Sequence, residues 1–176
     1  METLEVVSFD HSMFSLVAGF DSGDEPWQRE LSTWLLEESP KEMERGTKVW
    51  LYLNSSSEIV GYGSLGTTRW KYPTADSKRT PIALIPAVAI QRRFQGQPSG
   101  APRESRFSSQ ILRHLILEAK SWPGQPEVLG LYVHPDNHGA IKLYQRFEFE
   151  KFHHEYSDPA TGVVYISYLR RLEEAR

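Results

Sequence analysis

Apolar residues along the chain fall into runs with two distinct spacings, and these spacings predict its helices and strands. The run LEVVSF at residues 4–9 has the composition of a strand. Within residues 25–38, large apolar side chains recur at the spacing of one helix face: Trp27, Leu31, Trp34 and Leu35. Pro40 marks the end of that helix. Two β-rich runs then flank the polar turn NSSSE, which predicts a hairpin over residues 49–70.

The second half of the chain alternates strands with helices. PIALIPAVAI at residues 81–90 is apolar at nearly every position, which is typical of a strand buried on both faces. A loop leads from it into a helix with a continuous apolar stripe: Phe107, Ile111, Leu112, Leu115, Ile116 and Ala119. VLGLYV predicts a strand, AIKLYQRF a helix, and FEFEKFHHEY and VVYISYL two closing strands. Because strand–loop–helix occurs twice, we expect at least one parallel pair in an α/β (α+β) fold, with a mixed, mainly antiparallel sheet of seven strands.

Composition narrows the class of protein. The chain has 176 residues, which favours a single domain over residues 1–176 with a real core. It has no cysteine, which excludes disulfides, thiolate metal sites and a cysteine nucleophile. No apolar run is long enough to span a bilayer, and the acidic start METLEVVSFD is unlike a signal peptide, so a cytoplasmic protein is expected. The net charge of −3 gives no global attraction to nucleic acid, although a local basic patch is compatible with it.

The loop QRRFQGQPSGAPRESRFSSQIL at residues 91–112 has two interpretations. A strand that enters a helix through a glycine-bearing loop presents unpaired backbone N–H groups to a diphosphate. Gly96 would let the backbone approach closely, and four arginines would neutralise the remaining charge: Arg92, Arg93, Arg103 and Arg106. The alternative is an exposed connection without a ligand, since short glycine patterns often occur by chance.

Two motifs decide between these interpretations, because together they resemble those of the GNAT acetyltransferase superfamily. The first is R93-F-Q-G96-Q-P98, which is similar to the family pattern Q/R-x-x-G-x-G/A. The second, more specific motif is L131-Y-V133-H-P-D-N137-H-G-A140-I-K-L-Y144-Q-R-F-E-F149. The chain departs from the family at Pro98, at Ser108, at Glu148 and in about eight extra residues before the helix.

The resemblance implies a fold, a co-substrate and a set of residues. It implies splayed central parallel strands that admit acetyl-CoA, with no metal, for direct acetyl transfer to a primary amine. The implied cofactor-binding residues are Val88, Ala89, Ile90, Arg93, Phe94, Gln95, Gly96, Gln97, Ser108, Ser109, Asn137 and Tyr144. Val88 would polarise the thioester through its backbone N–H. Tyr144 would protonate the departing sulfur, since an ordinary phenol has a pKa of about 10.

Several points stay open at the level of sequence. No general base stands out among the candidates: Asp21, Glu25, Glu58, His134 and Tyr168. The histidines lack the carboxylate or cysteine spacing of a metal site, so none is expected. Asn137 would serve equally as a helix cap, and Tyr144 equally as a core residue. Family relatives that pair imply a homodimer as one option.

The amine acceptor also stays open. The acidic segment GFDSGDEPWQRELSTWLLEE would suit a cationic amine, or is simply a solvated helix start. Its beginning, F20-D21-S22-G23, faintly resembles the F-D-C-G stretch of toxin-type GNATs that acetylate aminoacyl-tRNA. A small-molecule or peptide amine is the first expectation, and nucleic acid is not expected as a partner except tRNA under that toxin-type alternative. A further alternative is a GNAT-like acetyl-CoA-binding module without transfer activity.

Overall fold

The computed structural model describes residues 2–173, and its hydrogen bonding confirms the expected α/β (α+β) class. It has eight strands: β1 (Glu5–Ser8), β2 (Lys48–Leu53), β3 (Ile59–Lys71), β4 (Arg79–Ile85), β5 (Val88–Ile90), β6 (Val128–Val133), β7 (Glu150–Ser157) and β8 (Val164–Arg171). Five α-helices join them: α1 (Phe14–Val17), α2 (Pro26–Glu37), α3 (Ser39–Glu44), α4 (Phe107–Lys120) and α5 (His138–Arg146). The strands pair in the order β1-β2-β3-β4-β6-β8-β7, and β5 pairs with β3.

Most of the expected elements are present, with three differences. The expected strand at residues 81–90 is two strands, β4 and β5, because the chain leaves the strand conformation at Pro86 and Ala87, so there are eight strands rather than seven. Helix α2 ends at Glu37, before Pro40 as expected, but the sequence did not predict that Pro40 would lie in the first turn of a further helix, α3, where proline is tolerated because that position needs no N–H donor. The short helix α1 carries no repeating apolar pattern, and the sequence did not predict it.

Contacts divide the described chain into two compact units. The first unit contains the described residues up to 65 together with residues 87–115, and the second contains residues 66–86 and 116–173. The expectation of one domain over residues 1–176 therefore stays a prediction. No helix within residues 2–173 is long and apolar enough to span a membrane.

In the first unit, β1, β2, β3 and β5 form an antiparallel sheet, since β1 pairs with β2 and β3 pairs with both β2 and β5. Its core is apolar and fully buried: Phe9, Val17, Phe20, Leu35, Val49, Leu51, Tyr62, Ala87 and Ala89. Helix α2 begins with a reciprocal cap, in which the Glu25 side chain accepts from the backbone of Gln28 and the Gln28 side chain accepts from the backbone of Glu25.

In the second unit, β4 and β6 are the parallel pair, with residues 83–85 opposite residues 129–131. Antiparallel β8 and β7 extend the sheet beyond β6. Trp70 is buried and lies across Gly130, where a Cβ atom would lie 2.6 Å from the Trp70 ring. Glycine at position 130 is therefore what allows the ring to lie flat against the strand.

Candidate functional site

The free edge of β5 presents backbone donors from two of its three residues. The Gln91 amide donates to Val60 O at 2.7 Å, and the register pairs Ala89 with Tyr62. Because hydrogen bonds alternate along an antiparallel pair, the Ala89 amide faces β3, whereas the amides of Val88 and Ile90 face the opposite edge. Among the described residues, no strand pairs with that edge. Val88 and Ile90 are thus placed to donate to a ligand, and Ala89 is not.

Close approach of β5 to β3 depends on Gly61. A Cβ atom at position 61 would lie 2.4 Å from the Ala89 carbonyl oxygen, which is closer than real Cβ contacts occur. The sequence reading missed this role, although the alternation G61-Y-G63 in an otherwise bulky strand was a visible signal.

The extra residues of the long loop close on themselves. Phe107 N donates to Gln97 O at 3.0 Å, so the chain leaves after Gln97 and returns to the same place at the start of α4. Two side chains of α4 hold the inserted residues: Ser109 Oγ donates to Arg103 O at 2.8 Å, and Gln110 Nε2 donates to Ser105 O at 3.0 Å. The inserted residues therefore leave the position of Gln97 relative to the start of α4 much as a short loop would.

Some backbone N–H groups near this loop donate to other residues of the loop, and others have no acceptor among the described residues. Gln97 N donates to Phe94 O at 3.1 Å, and Gln95 N donates to Arg92 O at 3.3 Å. The amides of Gly96, Ser108 and Ser109 have no acceptor within the described part of the chain. Gly96 has φ of +73°, and the space beside it is open. The amides of Gly96 and Ser108 suit an anion, whereas Ser109 is buried and the predicted donor Gln97 is used within the loop.

Two of the four arginines are committed to carboxylates of the first unit. The Arg92 guanidinium pairs with Asp24 and lies 3.9 Å from Asp21. Arg93 pairs with Glu58 at 3.1 Å and lies 4.7 Å from the centre of the Phe94 ring.

The other two arginines, at the end of the insertion, make no ion pair with a described residue. Arg103 is exposed, and Arg106 precedes the first residue of α4 with its Nε buried and unpartnered. Arg103 and Arg106, rather than Arg92 and Arg93, retain charge for an anion at the helix start.

The segment at residues 20–25 is tied to the residues that follow β5. Arg92 N donates to Asp21 O at 2.8 Å, and Gln91 Oε1 accepts from Asp21 N at 3.1 Å. Gln95 Nε2 donates to Ser22 O at 2.7 Å. Gln95 is therefore a tether for this segment. The negative charge of this segment, which would have suited a cationic substrate, is partly neutralised by Arg92. The hydrogen bond and the positive charge of Arg92 lower the pKa of Asp24.

In the second unit, Asn137 and Tyr144 lie on α5. Asn137 Oδ1 accepts from Ala140 N at 3.3 Å, so its cap role is present and its amide nitrogen has no described partner. Tyr144 is 7% exposed, its ring lies 5.8 Å from that of Phe149, and its hydroxyl makes no hydrogen bond to a described residue. Burial raises the pKa of Tyr144 to about 12, so the phenol keeps its proton at physiological pH.

Comparison with known proteins decides the family. The model of the acetyltransferase (GNAT) family matches residues 13–149. The chain belongs to the GNAT acetyltransferase family. Membership makes it an N-acetyltransferase by class, with acetyl-CoA as co-substrate. No curated protein matches the sequence.

Solved structures show the same GNAT fold at low sequence identity. A mutant of the toxin AtaT, bound to the C-terminus of the antitoxin AtaR and acetyl-CoA, has 14% identity and a TM-score of 0.63 over 97% of this chain and 94% of that chain. A GNAT acetyltransferase from Staphylococcus aureus Mu50 has 14% identity and a TM-score of 0.64 over 97% and 100%. The spermidine/spermine N-acetyltransferase SpeG from Vibrio cholerae, in complex with manganese ions, has 11% identity and a TM-score of 0.61 over 96% and 92%. These likenesses show the fold alone.

The first unit of this GNAT chain fits an elongated, diphosphate-bearing co-substrate. The outward amides of Val88 and Ile90 suit the amide and thioester oxygens of its arm. The amides of Gly96 and Ser108 suit its diphosphate, because they combine free donors with the positive end of α4.

The candidate bases are mostly engaged. Glu58 accepts from Asn54 and pairs with Arg93, and Glu25 caps α2. Asp21 accepts from Gly23 N at 2.9 Å. His134 Nδ1 accepts from Asp136 N at 3.1 Å, and Tyr168 is buried. Within residues 2–173 there is no group of three or more side chains that could hold a metal ion.

Proposed function

We propose that the protein transfers an acetyl group directly from acetyl-CoA to a primary amine of low pKa, such as an α-amine, of which a substantial fraction is neutral near pH 8 without help from the protein. The observation that carries this proposal is the engagement of Asp21, Glu25 and Glu58 in the contacts described above. At pH 8 an α-amine with a pKa near 7.7–8.0 is about half neutral, whereas an ε-amine with a pKa near 10.4 is only about 0.4% neutral. An enzyme whose candidate carboxylate bases Asp21, Glu25 and Glu58 are engaged is better matched to the first.

The chain's own residues have distinct roles in this proposal. Acetyl-CoA, when bound, supplies an activated acetyl group as a thioester. The Val88 amide donates to the carbonyl oxygen of the acetyl group, and the Ile90 amide orients the arm. Asn137 has an amide nitrogen, without a partner among the described residues, that can donate to the co-substrate. The incoming amine forms the new C–N bond as the C–S bond breaks and releases its extra proton to water, while Tyr144 donates a hydrogen bond to the departing sulfur and keeps its own proton.

A panel of paired acceptors tests the proposal. Amino-acid amides, which carry an α-amine, are compared with Nα-acetyl-lysine, which carries only an ε-amine, by thiol release from acetyl-CoA at pH 7.5. We expect kcat/KM to favour the α-amines and to level off about one pH unit above their pKa, near pH 9. Faster turnover of the ε-amine at pH 7.5 would contradict the assignment of the acceptor class.

Two alternatives make different predictions in that assay. An acetyl-CoA-binding module would bind the co-substrate in calorimetry without releasing thiol on any amine. A toxin-type enzyme would act on an aminoacyl-tRNA, whose amine is also an α-amine, and ignore free amino-acid amides.

The family match across residues 13–149 includes parts of both units, which supports a single N-acetyltransferase domain. A cytoplasmic location and a homodimer complete the proposal, and cell fractionation and sedimentation test them.

A further inference from the structure

The connection between β3 and β4 concentrates positive charge in a protein whose net charge is −3. We call residues 69–80, RWKYPTADSKRT, the cationic tip. It carries four cations, Arg69, Lys71, Lys78 and Arg79, against the single carboxylate of Asp76. All four cations are exposed. The tip thus has a local charge of +3 that the composition as a whole conceals.

The charges of the tip are not balanced within the protein. None of the four cations forms an ion pair with a residue in the range 2–173. The register places Lys71 directly opposite Arg79 on the two strands. Like charges in that position destabilise a strand pair, so folding alone gives no reason for the arrangement. An anionic partner would relieve the repulsion.

Aromatic rings lie next to these charges. Tyr72 is half-buried, and its ring lies 6.0 Å from that of Phe152, which is also half-buried. Trp70 is buried beneath and lies 5.7 Å from Phe152 in a stacked orientation and 5.3 Å from His154. The positive charge of Arg79 reaches this group, since burial, His153 and Arg79 together lower the pKa of His154. Planar rings with open surface therefore adjoin the unpaired cations.

We propose that the cationic tip and the adjoining rings form a binding surface for RNA with unpaired nucleotides. Lysine and arginine would contact the phosphates, and Tyr72 and Phe152 would stack on the bases. The tip's turn, PTADS, has no large apolar side chain to insert into a bilayer, which disfavours an anionic membrane as the partner. An acidic protein would account for the charges and leave the rings unexplained. Unpaired nucleotides, which occur chiefly in RNA, account for both features.

Fluorescence anisotropy with a labelled single-stranded RNA of about 12 nucleotides tests the proposal, in the absence of acetyl-CoA. The charge variant is Lys71→Ser with Arg79→Ser, and its matched control is Lys142→Ser with Arg146→Ser, two exposed cations on α5. We expect the charge variant to bind more weakly and to lower the slope of log K against log salt by about 1.4, while the control leaves that slope at the wild-type value. We expect Tyr72→Ala to weaken binding about tenfold.

Several results would overturn the proposal. These are no binding by the wild-type protein at about 50 mM salt, equal losses in the charge variant and its control, and equal or tighter binding of duplex RNA. Binding to phosphatidylserine vesicles but not to RNA would assign the tip to a membrane instead. Because the assay contains no co-substrate, it leaves the proposed acetyl transfer untouched, and the two proposals succeed or fail separately.

Discussion

Removing the hydroxyl of Tyr144 tests how the proposed enzyme handles the departing sulfur. With the pKa of Tyr144 raised by burial to about 12, full proton transfer to a thiolate, whose acid has a lower pKa, would be uphill. A hydrogen bond to the developing thiolate avoids that cost and contributes about 1.5–3 kcal/mol. We therefore expect Tyr144→Phe to lower kcat about 10- to 150-fold. Acetyl-CoA affinity should stay unchanged, because the interaction forms only as charge develops on sulfur.

Thiol release measures kcat in this experiment, and calorimetry measures the affinity for acetyl-CoA. The pH dependence adds a second readout. Because burial raises the pKa, Tyr144 stays neutral well above pH 10, so kcat should show no descending basic limb from this group below about pH 11. The stability linked to this group is fully present below about pH 10 and is lost as the pH rises through about 12.

A matched control separates chemistry from folding. Tyr62→Phe removes another buried hydroxyl, one that donates to Leu31 O at 2.6 Å, and should lower stability with little effect on kcat. The reasoning is refuted if Tyr144→Phe turns over like the wild type. It is refuted equally by a loss of affinity as large as the loss of kcat, or by a basic limb near pH 10 that disappears in the variant.

Two further substitutions probe the first unit. Gly61→Ala should destabilise the fold by about 1–3 kcal/mol in denaturant unfolding and weaken acetyl-CoA binding, because the new Cβ would collide with the Ala89 carbonyl oxygen. The control Gly139→Ala should do neither, because a Cβ there has no atom within 4 Å. Equal unfolding midpoints for the two variants would contradict the close approach of β5 to β3 at Gly61. Arg92→Ala should raise the pKa of Asp24 toward its ordinary value. In the wild type this carboxyl contributes stability that is present above its unfolded pKa and is lost as the pH falls through the lower folded pKa, and the variant should lose that contribution. A carboxyl titration by NMR that is the same in the variant and the wild type would show that Arg92 does not hold Asp24.

Local sequence patterns predicted the elements because each is decided by nearby residues. The apolar stripe beginning at Phe107 and the apolar spacing beginning at Trp27 act over a few helix turns, so α4 and α2 were placed almost to the residue. The interruption at Pro86 was missed because it depends on a distant contact. Ser64 Oγ donates to Ala87 O at 2.6 Å and accepts from Ala87 N at 3.0 Å, which holds the chain between β4 and β5.

The residues of the candidate site were likewise predicted where a local motif identifies them, and their roles were missed where distant contacts decide them. The motif resemblance predicted the β5 and loop residues, but it does not distinguish the Ala89 amide, which faces β3, from the amides of Val88 and Ile90, which face the opposite edge. That distinction comes from the strand register. Commitment of Arg92 to Asp24 joins residues 68 positions apart and has no local signature. The self-closing insertion likewise depends on a bond between Gln97 and Phe107 that spacing alone leaves open.

Amide NMR on titration with coenzyme A tests most directly whether the β5 edge and the start of α4 hold the co-substrate. We predict that the amide signals of Val88, Ile90 and Ser108 shift together with one shared dissociation constant. The Ala89 amide, which faces β3, should shift much less. Saturating coenzyme A that leaves Val88 and Ile90 unmoved, or that shifts Ala89 as strongly as its neighbours, would contradict the account.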